Sequence, residues 1–270
     1  IAEDGRTVLI SCAAAEVIVD PVARYVFKTP QKDSFAARKI FAEMQRQSIT
    51  TIAVASGNDG FGKAGKEQLE KLAPEFSIRV ALSETYDSKA TDLSALVAKM
   101  KANPAIQAVV NWSVAPAQAI IAKNMRQANW RVPLFQSHGF GNIRYAEAAG
   151  AAAEGIIFPC GLLLVAESLP DEHPQKALLM QYKTEYETLH KEQASAFGGY
   201  AYDALNMVAA AVRSAGTDRA RVRDAVEGLK NFPGVGGVFS FSPEDHNGLD
   251  IDSFAMMTVK DGRFILYKEQ

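Results

Sequence analysis

Cysteine is nearly absent: Cys12 and Cys160 are the only two in 270 residues. That excludes a disulfide-built scaffold and any zinc or iron–sulfur site made of cysteines. One disulfide and two buried thiols both remain open. The four histidines, at 138, 173, 190 and 246, do not fall at metal-ligand spacings. An excess of charge of one sign is missing too. Lys and Arg number 29 against 31 Asp and Glu, for a net charge of −2, so nothing pulls the chain toward nucleic acid or a membrane surface. No apolar run approaches the roughly 18–20 residues that cross a bilayer; the longest candidate, 155–166, is broken by Pro159 and Gly161. No initiator methionine, basic n-region or apolar h-region precedes the body of the chain, which is expected to begin inside a longer gene product. Catalytic signatures are lacking as well: there is no G-x-S-x-G nucleophile elbow and no phosphate-binding P-loop.

What is present is a globular pattern. Apolar residues make up 48% and charged residues 22%, which excludes disorder, collagen and coiled coil, and the length fits one large or two modest domains. Short apolar runs alternate with helical spacings. Strands are expected at Thr7–Ser11, Thr51–Ala55, Ile78–Leu82, Ile106–Val110, Val132–Phe135 and Gly155–Phe158. Between them, Phe35, Ala36, Ile40 and Met44 repeat at helical spacing behind a cap at Asp33 or Ser34. Leu69 and Leu72 do so before Pro74, and Leu93, Leu96, Val97 and Met100 before Asn103-Pro104. Ile120, Ile121 and Met125 mark a helix over Pro116–Asn129, and a short helix is expected at Asn142–Ala149. The strands are continuously apolar, as in a parallel sheet covered by helices on both faces. The fold class is α/β, built of right-handed βαβ units.

The pattern changes after Phe158. Leu162–Pro174 is expected as a loop. Helices follow at about 174–191, 200–214 and 218–229, then strands at Val235–Phe241, Phe254–Val259 and Phe264–Tyr267, with a hairpin turn at Asp261-Gly262. The three helices carry apolar faces, yet their own stretch supplies no strand. Either they pack on the first sheet, or they belong to a second lobe whose strands lie outside this chain, with Thr7–Ser11 as its isolated strand.

Gly60-Phe61-Gly62-Lys63-Ala64-Gly65 spells the G-x-G-x-x-G dinucleotide fingerprint, and Glu84 follows about twenty residues on. The first glycine belongs directly after the strand, but Ser56–Asp59 intervene; the alternative is a βα loop that carries Phe61 to the sheet edge. His138 lies just beyond the carboxyl end of a parallel strand, where open α/β sheets bind ligands. Phe61, Asn111, Trp112 and Ser113 end neighbouring strands on the same edge. Apolar walls with a few directed polar groups make a small-molecule pocket. No nucleophile–base–orienter set accompanies them, which favours binding over catalysis. No cofactor and no metal is called for.

These segments, taken in order, resemble a known family. Val8-Leu9-Ile10-Ser11 with Ala13–Ala15, Tyr25–Thr29 leading to Asp33, and Thr51–Ala55 with the loop ending Gly60-Phe61-Gly62 all match. So do Asp92-Leu93 with Lys99, Gly155-Ile156, Tyr202-Asp203-Ala204 and Phe239–Gly248. The resemblance is to the type I periplasmic binding proteins, the leucine/isoleucine/valine-binding-protein-like receptors of ABC importers. It implies two Rossmann-like lobes joined by three crossovers, with the ligand held between them, and one lobe incomplete because roughly the first third of the mature protein is missing. The implied division is 1–30 as remnant of the N-terminal lobe and first crossover, 31–157 as C-terminal lobe, 158–232 as the helical part of the N-terminal lobe, and 233–270 as crossover and C-terminal-lobe strands.

The resemblance also implies the site. Ser11 with the amides of Cys12 and Ala13 holds a ligand carboxylate, although the family's further hydroxyl position is Ala15 here. Phe61 is the cleft aromatic, and Asn111, Trp112 and Ser113 form the loop after the third strand. Tyr200 is a further candidate by its position, at the start of a helix beside the crossovers. His138 stands where amino-acid binders of the family place an acid. A buried ammonium needs an anionic partner or several neutral ones, and imidazole does not supply the charge, so the ligand is expected to lack an α-ammonium and to be an aromatic or otherwise apolar carboxylate. The implied function is extracytoplasmic, periplasmic capture of a small organic acid for delivery to the membrane permease of an ABC importer, by population shift between open and closed lobes. The alternatives are the same fold as a sensor or regulatory ligand-binding domain, and a nicotinamide-dependent oxidoreductase using the glycine run.

Overall fold

In the computed structural model, which describes residues 1–268, the alternation of the sequence becomes eleven strands and eight α-helices among the described residues. In chain order they are β1 (Leu9–Ser11), β2 (Val26–Lys28), α1 (Asp33–Arg46), β3 (Thr51–Gly57), α2 (Gly60–Leu72), β4 (Arg79–Tyr86), α3 (Ser94–Lys101), β5 (Ala108–Trp112), α4 (Ala117–Gln127), β6 (Leu134–Gln136), α5 (Ile143–Ala149) and β7 (Ile157–Cys160). There follow α6 (Lys176–His190), α7 (Ala196–Ala215), α8 (Arg219–Glu227), β8 (Phe232–Pro233), β9 (Val238–Phe239), β10 (Ala255–Lys260) and β11 (Arg263–Leu266). Among the described residues no helix is long and apolar enough to cross a membrane. The chain divides into two units. The first holds Ile1–Lys32 and Gly161–Phe254; the second holds Asp33–Cys160 and the residues from Ala255 on.

The second unit is built on a seven-stranded sheet of order β11-β10-β7-β6-β5-β3-β4. β3 to β7 run parallel, and β10 and β11 add antiparallel at one side. Thr51–Ala55 is a fully internal strand because every residue after Thr51 is buried, as expected where helices cover both faces. Sequence order reverses at β3: the chain leaves it for β4 on one side and returns to β5 on the other. Such a switch point opens a crevice at the carboxyl ends of the strands. Asp59 begins α2 by accepting the amide of Gly62 at 2.8 Å, and its other oxygen takes the hydroxyl of Ser88 at 2.7 Å. The β10–β11 hairpin turns at Asp261 and Gly262, with φ of 51° and 71°, the left-handed pair that a two-residue hairpin requires.

The glycine run has a packing explanation. A Cβ on Gly62 would collide with the backbone of Gly57, and one on Gly65 with the indole of Trp112. These glycines let α2 lie close against the ends of β3 and β5, and the helix they belong to starts at Gly60. The run is the first turns of a tightly packed helix, not a phosphate loop following directly on a strand.

The first unit answers the question of the unmatched helices in part. β1 is not isolated: it pairs in parallel with β2, a strand the sequence reading did not assign. Phe27 of β2, Phe239 and Phe241 form a core with Met207 and Ala211 of α7 and Val222 and Val226 of α8. Away from that core α7 exposes Leu205, at 70%, and in its first turn it exposes Phe197. The expected strand Val235–Phe241 is shorter; β8 and β9 form a small hairpin around 234–237. The expected loop after Gly161 contains 3-10 turns over Leu162–Ser168, which bury Leu163, Val165 and Ala166. His246 locks the segment after β9 in place. Its ring stacks on Phe27 at 4.0 Å, and its nitrogens reach the carbonyl of Val26 and the carboxylate of Glu227 at 2.8 and 3.1 Å. Asn247 donates to the carbonyl of Pro30 at 2.8 Å.

Asp203, on α7, is buried and accepts the amides of Val235 and Gly236 at 2.6 and 2.7 Å. It fixes the β8–β9 turn from inside. Burial pushes its carboxyl from 3.8 up to about 7, against the opposing pull of those two amides. A carboxyl that holds its proton more tightly folded than unfolded stabilises most when protonated, so its contribution is lost as pH rises from about 4 through about 7. Denaturant unfolding across that range is expected to show a decline of up to about 1.4 kcal/mol per pH unit that Asp203→Asn removes; an unchanged slope in the variant rejects this role. Gly65→Ala is expected to lower stability. Overpacking costs about 1–3 kcal/mol, and a Cβ only 2.0 Å from the indole of Trp112 places the cost toward the upper end, above the roughly 1 kcal/mol of helix propensity gained. Urea midpoints would show it, and a midpoint at or above that of the parent refutes the packing argument.

Candidate functional site

The carboxyl ends of β3, β5 and β6 gather one ring cluster in the second unit. Phe61 stands in the first turn of α2, Trp112 is the last residue of β5, and His138 begins the 3-10 turn after β6. The centroid of the Phe61 ring lies 5.2 Å from that of His138 and 5.9 Å from that of Trp112, and the indole and imidazole are 5.7 Å apart. Both other rings meet the imidazole edge to face, at 74° and 79°, an arrangement favoured by the ring quadrupoles. Phe61 is half-buried, whereas Trp112 is fully buried and His138 is 4% exposed. Gly139 makes this possible, because a Cβ there would press on the carbonyl of Ser113, on Val114 and on the ring of Phe61. The indole Nε1 meets no hydrogen-bond acceptor among the described residues. Its burial against Gly65 is sustained by ring packing.

Beneath the rings runs a buried polar chain. Tyr86 donates its hydroxyl to Asn111 Oδ1 at 2.9 Å, Asn111 Nδ2 donates to Gln136 Oε1 at 2.7 Å, and Gln136 Nε2 donates to the carbonyl of Gln118 at 3.1 Å. Burial pushes the Tyr86 hydroxyl up to about 12, so it remains a donor. The chain links β4, β5, β6 and α4 and fixes the ends of the strands. Asn111 therefore serves inside the sheet, with its amide engaged on both sides. Ser113 is buried and caps the amide of Ala115 at 3.0 Å, while its carbonyl accepts the hydroxyl of Ser137 at 3.2 Å. It shapes the loop under Phe61.

Asp33 is a residue the sequence reading took only as a helix cap. It opens α1, is fully buried, and its Oδ1 lies 3.5 Å from Nε2 of His138. A carboxylate at a helix start is what capping also demands, so nothing in the sequence separated the two roles. Gln118, Tyr86 and Gln136 carried no signal at all.

The remaining expected residues lie in the first unit. Ser11 ends β1, half-buried, and its Oγ accepts the amide of Ala13 at 3.2 Å. Cys12 and Ala13 are exposed. Their amides and the Ser11 hydroxyl lie within three consecutive residues, a short polar arc without side-chain bulk. Tyr200 is buried on α7. Its hydroxyl donates to Gln31 Oε1 at 3.1 Å, and Gln31 Nε2 donates to the carbonyl of Gly236 at 2.7 Å. Cys160, in β7, is buried. Among the described residues, no group of three or more His, Cys, Asp or Glu is placed to hold a metal ion.

Comparison with known proteins gives these features a setting. A family model described as periplasmic binding protein matches residues 1–263. The leucine-, isoleucine-, valine-, threonine- and alanine-binding protein of Pseudomonas aeruginosa is 24% identical over 228 residues, 83% of this chain. The chain spans 58% of the length of that protein. Among solved structures, an extracellular ligand-binding receptor from Rhodopseudomonas palustris HaA2 superposes with a TM-score of 0.92 at 24% identity, covering 98% of this chain and 77% of that one. A type 1 periplasmic binding protein from Bordetella pertussis Tohama I does so with a TM-score of 0.84 at 20% identity, covering 98% and 75%. The mostly parallel sheet with its switch point at β3 is the type I fold of these structures. With nearly its whole length matched, the chain belongs to the periplasmic binding protein family.

Proposed function

We propose that this chain captures a small organic acid with an aromatic or otherwise apolar body, in the periplasm, for delivery to the membrane permease of an ABC importer. The observation that carries the reading is the ring cluster at the switch point: Phe61, Trp112 and His138 within 6 Å of one another at the carboxyl ends of three adjoining strands. Phe61 offers a face to the apolar body of the solute, Trp112 backs it, and His138 reads a polar oxygen. Asn111 and Ser113 act from behind, by holding the strand ends and the loop. In the first unit, Ser11 with the amides of Cys12 and Ala13 is the carboxylate-holding segment, and Tyr200 is a supporting residue. Periplasmic location and a permease partner are supported by family membership alone.

A second reading is favoured by the relative from P. aeruginosa, whose name gives amino acids as its ligands. The two separate cleanly, because an amino acid brings an ammonium that must be matched by negative charge. Calorimetry on the full-length protein is expected to show binding of benzoate and none of leucine, and Phe61→Ala is expected to weaken benzoate about tenfold through loss of aromatic packing. Tight leucine binding without affinity for benzoate-like acids rejects the organic-acid reading.

A further inference from the structure

We propose that Asp33 is a specificity-determining positioning residue, whose buried carboxylate holds His138 as an imidazolium so that the rim selects an oxygen-bearing acid over an α-ammonium compound. The inference rests on the reading of the ring cluster as the solute site. Its ground is a pair of buried groups. Asp33 is 0% and His138 4% exposed, and Oδ1 of the one lies 3.5 Å from Nε2 of the other. An ionised carboxylate removed from water is costly unless an opposite charge lies against it, and an imidazole that takes up a proton supplies one. Phe61 and Trp112, which pack on the imidazole at 74° and 79°, bring no charge to it.

The consequence for the solute follows from the donor inventory. Neutral imidazole has one N–H and one acceptor nitrogen, whereas imidazolium has two donors and no acceptor. A charged ring can therefore give a hydrogen bond to a carboxylate, keto or hydroxyl oxygen, and it repels an ammonium. The acid at position 33 differs in this respect from an acid at position 138. An acid in place of His138 would face the solute directly and welcome an ammonium, but an acid paired with the imidazole at 3.5 Å has its charge matched by the ring. Asp33 acts through His138 and not on the solute.

Two measurements test the pairing and the site separately. In the ligand-free protein at neutral pH, nitrogen-15 spectra of the histidine rings are expected to show both nitrogens of His138 protonated, and Asp33→Asn is expected to return the ring to a single neutral tautomer. Benzoate calorimetry on the same variant is expected to show affinity reduced about tenfold or more, with a thermal transition that confirms folding. A neutral His138 in the parent protein overturns the proposal, as does an Asp33→Asn variant with an unchanged imidazole spectrum. If the variant fails to fold, the parent spectrum alone decides. Benzoate binding that is unaffected in His138→Ala would instead overturn the reading of the rim as the solute site, whatever the spectra show.

Discussion

The approach of α2 to the sheet is the constraint from which the rest of the second unit follows. Gly62 sits on the backbone of Gly57, and Gly65 sits on the indole of Trp112. With side chains at those two positions the helix would stand further out. Phe61, in its first turn, would then no longer lie within 6 Å of both Trp112 and His138. Close packing across a helix–strand junction thus sets the spacing of the rings, and the polar chain from Tyr86 to Gln118 keeps the strand ends from shifting beneath them. Buried networks of this kind fix one arrangement when every member is satisfied.

Sequence reading recovered what periodicity and turn chemistry encode. The βαβ alternation of the second unit, the strand at Thr51–Ala55 and the Asp261-Gly262 hairpin stand where the residues place them, within a few positions at the ends. It missed β2, because Val26–Lys28 is too short to show an alternation and its Lys28 is buried against expectation. It drew Val235–Phe241 as one strand, since Gly236-Gly237 inside an apolar run gave no sign that Asp203, some thirty residues earlier, gathers the amides of a turn there.

The ring cluster was legible in part. Phe61, Trp112 and His138 share a sheet edge by strand order alone, and the structure brings them together. What spacing could not disclose was depth. Whether Asn111 faces a solute or a neighbouring glutamine depends on a register between β5 and β6 that no single strand reveals. The proximity of Asp33 to His138 spans about a hundred residues and belongs to the same class of hidden facts: a side chain that reads as a local cap lies 3.5 Å from a distant imidazole.

The order of strands in the second unit has a kinetic side. β10 is hydrogen-bonded to β7, yet nearly a hundred residues of other structure separate them along the chain. Contacts so remote in sequence form late, because their loop must close before they are rewarded. While the chain folds, the edge of β7 therefore waits, with its backbone groups open to any extended chain nearby, until β10 pairs with it.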